Sequence, residues 1–230
     1  MNSLPAVNKV MQGYAHQARS GIHVNTSAHF GSAVLLRDCA TCGRLHGARM
    51  IAMCVFCGSA SGSRPVYTQA ARELGAHLAR RKITLVYGAA NCGLMAAVAD
   101  AVLTAGGEVE GVIPEVIDRM DLTHLALTRL HKVGTMHQRK ALMADLAHGF
   151  IAMPGGIGTL DELCEILCWA QLDLHRKPIG LLNTDGYFDG LLKFLHHAVS
   201  EGFVRPFDIE RLIVEREPAA LIDRIAHSFT

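Results

Sequence analysis

From residue 50 onward, short apolar runs alternate with longer stretches in which apolar residues recur every three or four positions. The short runs predict strands at 50–57, 83–87, 109–114, 126–133, 149–153, 178–183 and 212–214. The longer stretches predict helices at 64–81, 92–105, 136–147, 159–174, 187–201 and 218–228. Gly106-Gly107 and Gly202 stand where two of those helices should stop. Apolar strands of this kind have no polar face, so both sides of the sheet must be covered. The expected fold class is α/β: a Rossmann-like, doubly wound parallel sheet in a single domain, with ligands bound at the carboxyl ends of the strands.

Residues 1–49 break this pattern. They carry five Lys/Arg but a single acid, Asp38, and no sustained periodicity. Sequence read from an upstream start codon, a targeting peptide and a disordered extension are all compatible with that composition. The domain is therefore expected at 50–230, with 1–49 outside it. Cys39, Cys42 and His46 hint at zinc, but three neighbouring ligands fall short of the usual structural four, and no metal is expected.

Composition narrows the function classes. A chain of 230 residues suits one α/β domain with a tail. A net charge of +1 argues against nucleic acid as the main partner, and no apolar run is long enough to span a membrane. Seven cysteines, mostly within apolar runs, suggest reduced, buried thiols and a cytoplasmic protein. Cys54 and Cys57 should point to opposite faces of their strand. Cys164 and Cys168 should be near one another on a helix, in a packing role.

Candidate chemistry gathers in the loops after predicted strands. Pro154-Gly155-Gly156-Ile157-Gly158-Thr159 joins a strand to a helix, and its glycines let backbone N–H groups approach an anion. Cys57-Gly58-Ser59-Ala60-Ser61-Gly62-Ser63 and Gly88-Ala89-Ala90-Asn91-Cys92-Gly93 are similarly small. Neither has the G-x-G-x-x-G spacing of a dinucleotide site, and Gly88 to Gly93 lacks the Lys-Ser/Thr of a triphosphate loop. Arg139 and Lys140 fall in the first turn of a predicted helix, where cations oppose the helix dipole unless an anion is near. Glu162 has two readings. It is an acid beside a phosphate cradle, or the second half of a Thr159-x-x-Glu162 capping box.

Together these motifs resemble the Lonely Guy family, the cytokinin riboside 5′-monophosphate phosphoribohydrolases. The family's P-G-G-x-G-T-x-x-E signature is met in full at residues 154–162, and Met136-His137-Gln138-Arg139-Lys140 matches its upstream M-H-x-R-K element. Val55-Phe56-Cys57-Gly58-Ser59, Gly93-Leu94-Met95, Trp169-Ala170-Gln171-Leu172 and the stretch from Leu181 to Tyr187 extend the match. The chain departs from the usual pattern at Ala89, Ala90, Ala96 and Cys168, positions that bear on substrate fit.

The resemblance implies hydrolysis of the N-glycosidic bond of an N6-modified adenosine 5′-monophosphate, with Arg139 and Glu162 as the catalytic pair. It implies a phosphate cradle at Gly155, Gly156, Gly158 and Thr159, with Lys140 beside it. Further substrate contacts are implied at Ser59, Asp121, Met136 and Ile157. It implies a homodimer and no cofactor. Plain AMP as substrate, or a non-catalytic nucleotide or cofactor carrier on the same fold, are the alternatives; related carriers lack the Arg-Lys and Glu combination. Members of the family often bear a lysine decarboxylase label, but no pyridoxal-binding lysine context is recognisable.

Overall fold

The computed structural model describes residues 51–118 and 123–229. Residues 1–49, including the Cys39, Cys42 and His46 grouping, and Asp121 lie outside the described residues. Seven strands run β1 (Ala52–Phe56), β2 (Thr84–Tyr87), β3 (Val109–Pro114), β4 (Arg129–Val133), β5 (Gly149–Ala152), β6 (Ile179–Leu182) and β7 (Leu212–Glu215). They form one sheet in the order β4-β3-β2-β1-β5-β6-β7, and every pairing is parallel. The helices are α1 (Pro65–Arg80), α2 (Gly93–Thr104), α3 (Glu115–Asp118), α4 (Met136–Leu146), α5 (Ile157–Gln171), α6 (Asp189–Ser200), α7 (Pro206–Glu210) and α8 (Pro218–His227).

Strand alternation builds a two-faced core. Met53, Val55 and Cys57 face α1, α2 and α8, whereas Ala52, Cys54 and Phe56 face α4 and α5. The opposed directions of Cys54 and Cys57 are as the strand period requires. Proline opens α1, α7 and α8, where its missing N–H costs nothing and its fixed φ suits the first turn.

The predicted strand at 126–133 is shortened to Arg129–Val133. The preceding residues are held as a loop by His124, whose N–H donates to the Ala89 carbonyl at 2.9 Å and whose ring meets Asp100 at 3.0 Å. Exposed Arg129 and Lys132 keep this edge strand charged, which discourages pairing with another edge. The described residues contain no helix long and apolar enough to cross a membrane.

The strand order reverses at β1. From there β2, β3 and β4 extend one way and β5, β6 and β7 the other. The carboxyl ends of β1 and β5 therefore diverge into crossovers on opposite faces, leaving a crevice between them.

Candidate active site

Three strand-end loops meet in that crevice and are locked to one another by backbone. The Gly58 N–H donates to the Pro154 carbonyl at 3.1 Å, and the Gly58 carbonyl accepts from the Leu94 N–H at 3.0 Å. Gly93 has φ +57°, and a Cβ there would overlap the carbonyl of Ser59. A Cβ on Gly155 would overlap the Thr159 hydroxyl and lie 2.8 Å from the Gly58 nitrogen. Glycine is thus required at both positions by close approach. The Tyr187 hydroxyl donates to the Gly155 carbonyl at 2.6 Å, while its ring sets edge-on to Tyr67 with centroids 5.6 Å apart.

Gly156 and Gly158 differ in kind. A Cβ at either would meet nothing within 4 Å. They stand at the N-cap and second position of α5, whose first N–H groups have no acceptor inside the helix. Bare backbone bordering open space at the positive end of a helix dipole is suited to an anion.

The opposite wall is charged. Helix α4 is started by a capping box: the Gln138 N–H donates to the Thr135 hydroxyl, and the Gln138 side-chain oxygen accepts from the Thr135 N–H, each at 3.1 Å. That start sends Arg139 and Lys140 toward α5. Arg139 Nη2 donates to Glu162 Oε1 at 2.8 Å, with the two side chains only 12% and 10% exposed. Lys140 Nζ lies 3.0 Å from Asp161 Oδ2 and 3.1 Å from Glu165 Oε1. The alternative of a solvated basic pair is thereby set aside, since both cations have carboxylate partners on the neighbouring helix.

The capping reading of Glu162 falls as well. Helix α5 begins at Ile157 with Gly156 as N-cap and no side-chain cap, so Thr159 and Glu162 both lie inside it. The helix starts two residues before its predicted 159 boundary, because glycine takes the cap position. Glu162 is left to face Arg139. Burial pushes its carboxyl up from the ordinary 4.5 to about 7; Arg139 opposes this rise and Asp161 adds to it.

Arg139 and Glu162 border a cavity of about 270 Å³. Of the other predicted contacts, Ser59, Met136, Gly156, Ile157, Gly158 and Thr159 also line it. Gly155 belongs to an adjoining cavity of about 290 Å³, walled by Tyr67, Leu94 and Tyr187 and sharing Gly58, Ser59 and Gly156 with the first. Lys140 is not part of either lining. The first cavity is lined by two acids, Asp161 and Glu162, a guanidinium and free backbone donors, so it can hold a phosphorylated ligand and stabilise a developing positive charge.

Several residues here escaped the sequence reading. Cys57 and Met95 line the Arg139–Glu162 cavity. A Cβ on Gly88 would overlap Arg139 Nη2 and come within 2.7 Å of the Met95 side chain, so Gly88 makes room for the guanidinium. Tyr187 anchors the glycine loop from the far side of β6. In the sequence they appear only as members of small loops and family-like motifs, which do not say which side chain each one faces.

The cysteine reading needs one correction. Cys54 and Cys57 are buried, but Cys164 and Cys168 are exposed and free. Both lie on the outward face of α5 with Asp161, at spacings that bring i, i+3 and i+7 together, away from the core stripe of Leu163, Ile166 and Ala170.

A family described as "possible lysine decarboxylase" matches residues 95–225. A cytokinin riboside 5′-monophosphate phosphoribohydrolase of Arabidopsis thaliana is 51% identical over 162 residues, 70% of this chain and 74% of that protein. A probable enzyme of the same name from Oryza sativa subsp. japonica is 45% identical over 183 residues, covering 80% and 81% of the two chains. Among solved structures, the molybdenum cofactor binding protein of Rippkaea orientalis superposes with a TM-score of 0.61 at 22% identity, over 80% of this chain and 99% of that one. The molybdenum cofactor carrier protein of Chlamydomonas reinhardtii does so with the same score and identity, over 79% and 99%. At such identity the structural likeness speaks for the fold alone.

Proposed function

The chain belongs to the Lonely Guy family of cytokinin riboside 5′-monophosphate phosphoribohydrolases, and from that premise we propose that it hydrolyses N6-modified adenosine 5′-monophosphates to free base and ribose 5-phosphate. The observation that carries this reading is the buried Arg139–Glu162 pair opening onto a cavity bounded by the glycine start of α5. The phosphate is taken by the N–H groups after Gly156 and by the Thr159 hydroxyl. The C1′–N9 bond breaks with its electron pair leaving on the base. The carboxylate of Glu162 stabilises the positive charge that develops on the ribose and orients the attacking water. The water oxygen bonds to C1′, and the proton it sheds is returned to the departing base through Glu162. A carboxyl that titrates near 7 suits both halves of that transfer.

Arg139 favours the ionised form of Glu162 against the cost of its burial. Its Nε is buried without an acceptor, a donor that a ribose or phosphate oxygen would satisfy. The lining of this cavity has no lysine among the described residues, so the Schiff-base lysine of a pyridoxal-dependent decarboxylase has no counterpart there.

A homodimer in the cytoplasm completes the reading. Helix α6 is amphipathic yet has no buried residue, and Phe194, Phe203 and Phe207 are 62%, 85% and 63% exposed, which supports a covered face in the assembly. The exposed free thiols of Cys164 and Cys168 suit a reducing compartment.

The test is chromatography of base released from N6-isopentenyl-AMP, AMP and the unphosphorylated riboside. Release from the monophosphates and little from the riboside is expected. Equal release from the riboside would remove the phosphate cradle from the mechanism, and preference for AMP would make the enzyme an AMP nucleosidase.

A further inference from the structure

Lys140 follows Arg139 in sequence, but its ammonium group has a different destination. It is held between Asp161 at 3.0 Å and Glu165 at 3.1 Å, and its side chain is only 13% exposed. It is absent from the cavity lining, whereas Arg139, Ser59 and Thr159 are in it. Asp161 adjoins Glu162 in the chain, and Glu165 lies three residues on, one helical turn away. Three carboxylates therefore crowd one turn of α5, with the central one buried.

We propose that Lys140 is a positioning residue for Glu162 and not a phosphate ligand: by neutralising Asp161 and Glu165 and clamping α4 to α5, it offsets the like charges around Glu162 and holds it in register with Arg139. The inference rests on the hydrolase reading above. The groups that act on Glu162 are Arg139 and Lys140 from α4, Asp161 and Glu165 from α5, and the thiols of Cys54 on β1 and of Cys57 just after it. The two thiols are buried and pushed well above their ordinary range, so they stay neutral. The remaining balance is two cations against two neighbouring acids. Without Lys140, Asp161 and Glu165 would act on Glu162 unopposed except by Arg139, and like charges raise a carboxyl's proton affinity.

The experiment is a pH profile of kcat/KM for wild type, Lys140→Met, Lys140→Arg and Asp161→Asn. In Lys140→Met the acid limb should move up by about one pH unit, while KM on the alkaline plateau changes less than about threefold. Lys140→Arg should restore the limb, and Asp161→Asn should move it down. An unmoved limb in Lys140→Met with KM raised roughly tenfold or more would make Lys140 a phosphate ligand and overturn the proposal. Should Lys140→Met fail to fold, an unmoved limb in Asp161→Asn overturns it equally. Titration of the Glu162 carboxyl carbon by NMR in wild type and Lys140→Arg against Asp161→Asn needs no turnover. It reads the electrostatic linkage even if no nucleotide is hydrolysed, so failure of the hydrolase reading and failure of this one are separable.

Discussion

The two walls of the cleft are built by opposite means. On the α4–α5 side, side chains do the work: Arg139, Lys140, Glu162 and Glu165, largely shielded from solvent, and the exposed Asp161 form a charge network. On the side of the β1, β2 and β5 loops, backbone does it: Gly58, Gly93 and Gly155 let three chain segments interlock, and Tyr187 pins the result. Tolerance to substitution therefore differs between them. A charge network can be weakened in steps, because each member is only partly balanced by another. A backbone wall cannot, because a single methyl group at Gly155 or Gly93 has nowhere to go.

The largest expected effect falls on the charged wall. Glu162→Gln should lower kcat roughly a thousandfold, as loss of a positioned acid–base group does, with the fold retained by circular dichroism. Its effect on stability has the opposite sign. The folded carboxyl titrates near 7 against an ordinary 4.5, so the native state binds more protons between those values. The stabilisation from Glu162 is therefore complete below the unfolded value and is lost as pH rises through about 7. At pH values above that window Glu162→Gln should melt no lower than wild type, and a lower melting temperature there would mean that the Arg139 pair outweighs the cost of burial. The same titration predicts a wild-type acid limb of kcat/KM near 7.

Second in size is a substitution that makes the backbone wall strike the charged one. Gly88→Ala places a methyl group against the Arg139 guanidinium. Turnover should fall by about a hundredfold, the order expected when a catalytic group is displaced by about 1 Å, with only a modest change in thermal stability. Unchanged kinetics would show that Arg139 can move without consequence and would dissolve the coupling between the walls.

Gly155→Ala and Gly158→Ala separate the two kinds of glycine within one motif. Gly155→Ala should destabilise the protein by about 1–3 kcal/mol through overpacking against Thr159 and Gly58. Gly158→Ala meets open space in a helical position, so its stability should hold or rise slightly. Its KM for the monophosphate should rise several-fold, readable by steady-state kinetics. Equal destabilisation by both would erase the distinction. The smallest effect is expected from Tyr187→Phe, which removes one hydrogen bond to the Gly155 carbonyl. It should cost about 1 kcal/mol in denaturant titration and raise KM slightly with kcat preserved.

Much of this was legible in the chain. The period-2 and period-3.6 patterns located the strands and major helices to within a few residues, because a sheet buried on both faces leaves little room for ambiguity. The short helices α3 and α7 were missed, being too brief to show a period. The motif at 154–162 pointed to an anion site, since three glycines between a strand and a helix leave backbone N–H groups bare. Its Thr159 and Glu162 were ambiguous for a local reason. Their spacing satisfies a capping box, and only the position of the N-cap at Gly156 decides against it. Cys164 and Cys168 misled because burial preference is an average, whereas their exposure is set by which side of α5 meets the sheet.

Periodicity, glycine and charge are local properties, so the chain alone specifies the parallel α/β architecture, the strand-end loops and the residue types for nucleotide chemistry. The tertiary structure alone decided that Arg139 meets Glu162 across 23 positions of chain, that Lys140 turns instead to Asp161 and Glu165, and that Gly88 clears the space for a guanidinium. Those are properties of two helices laid side by side over the crevice at β1 and β5. The proton affinity of Glu162 follows from how deeply that packing buries it and from which charges come to face it.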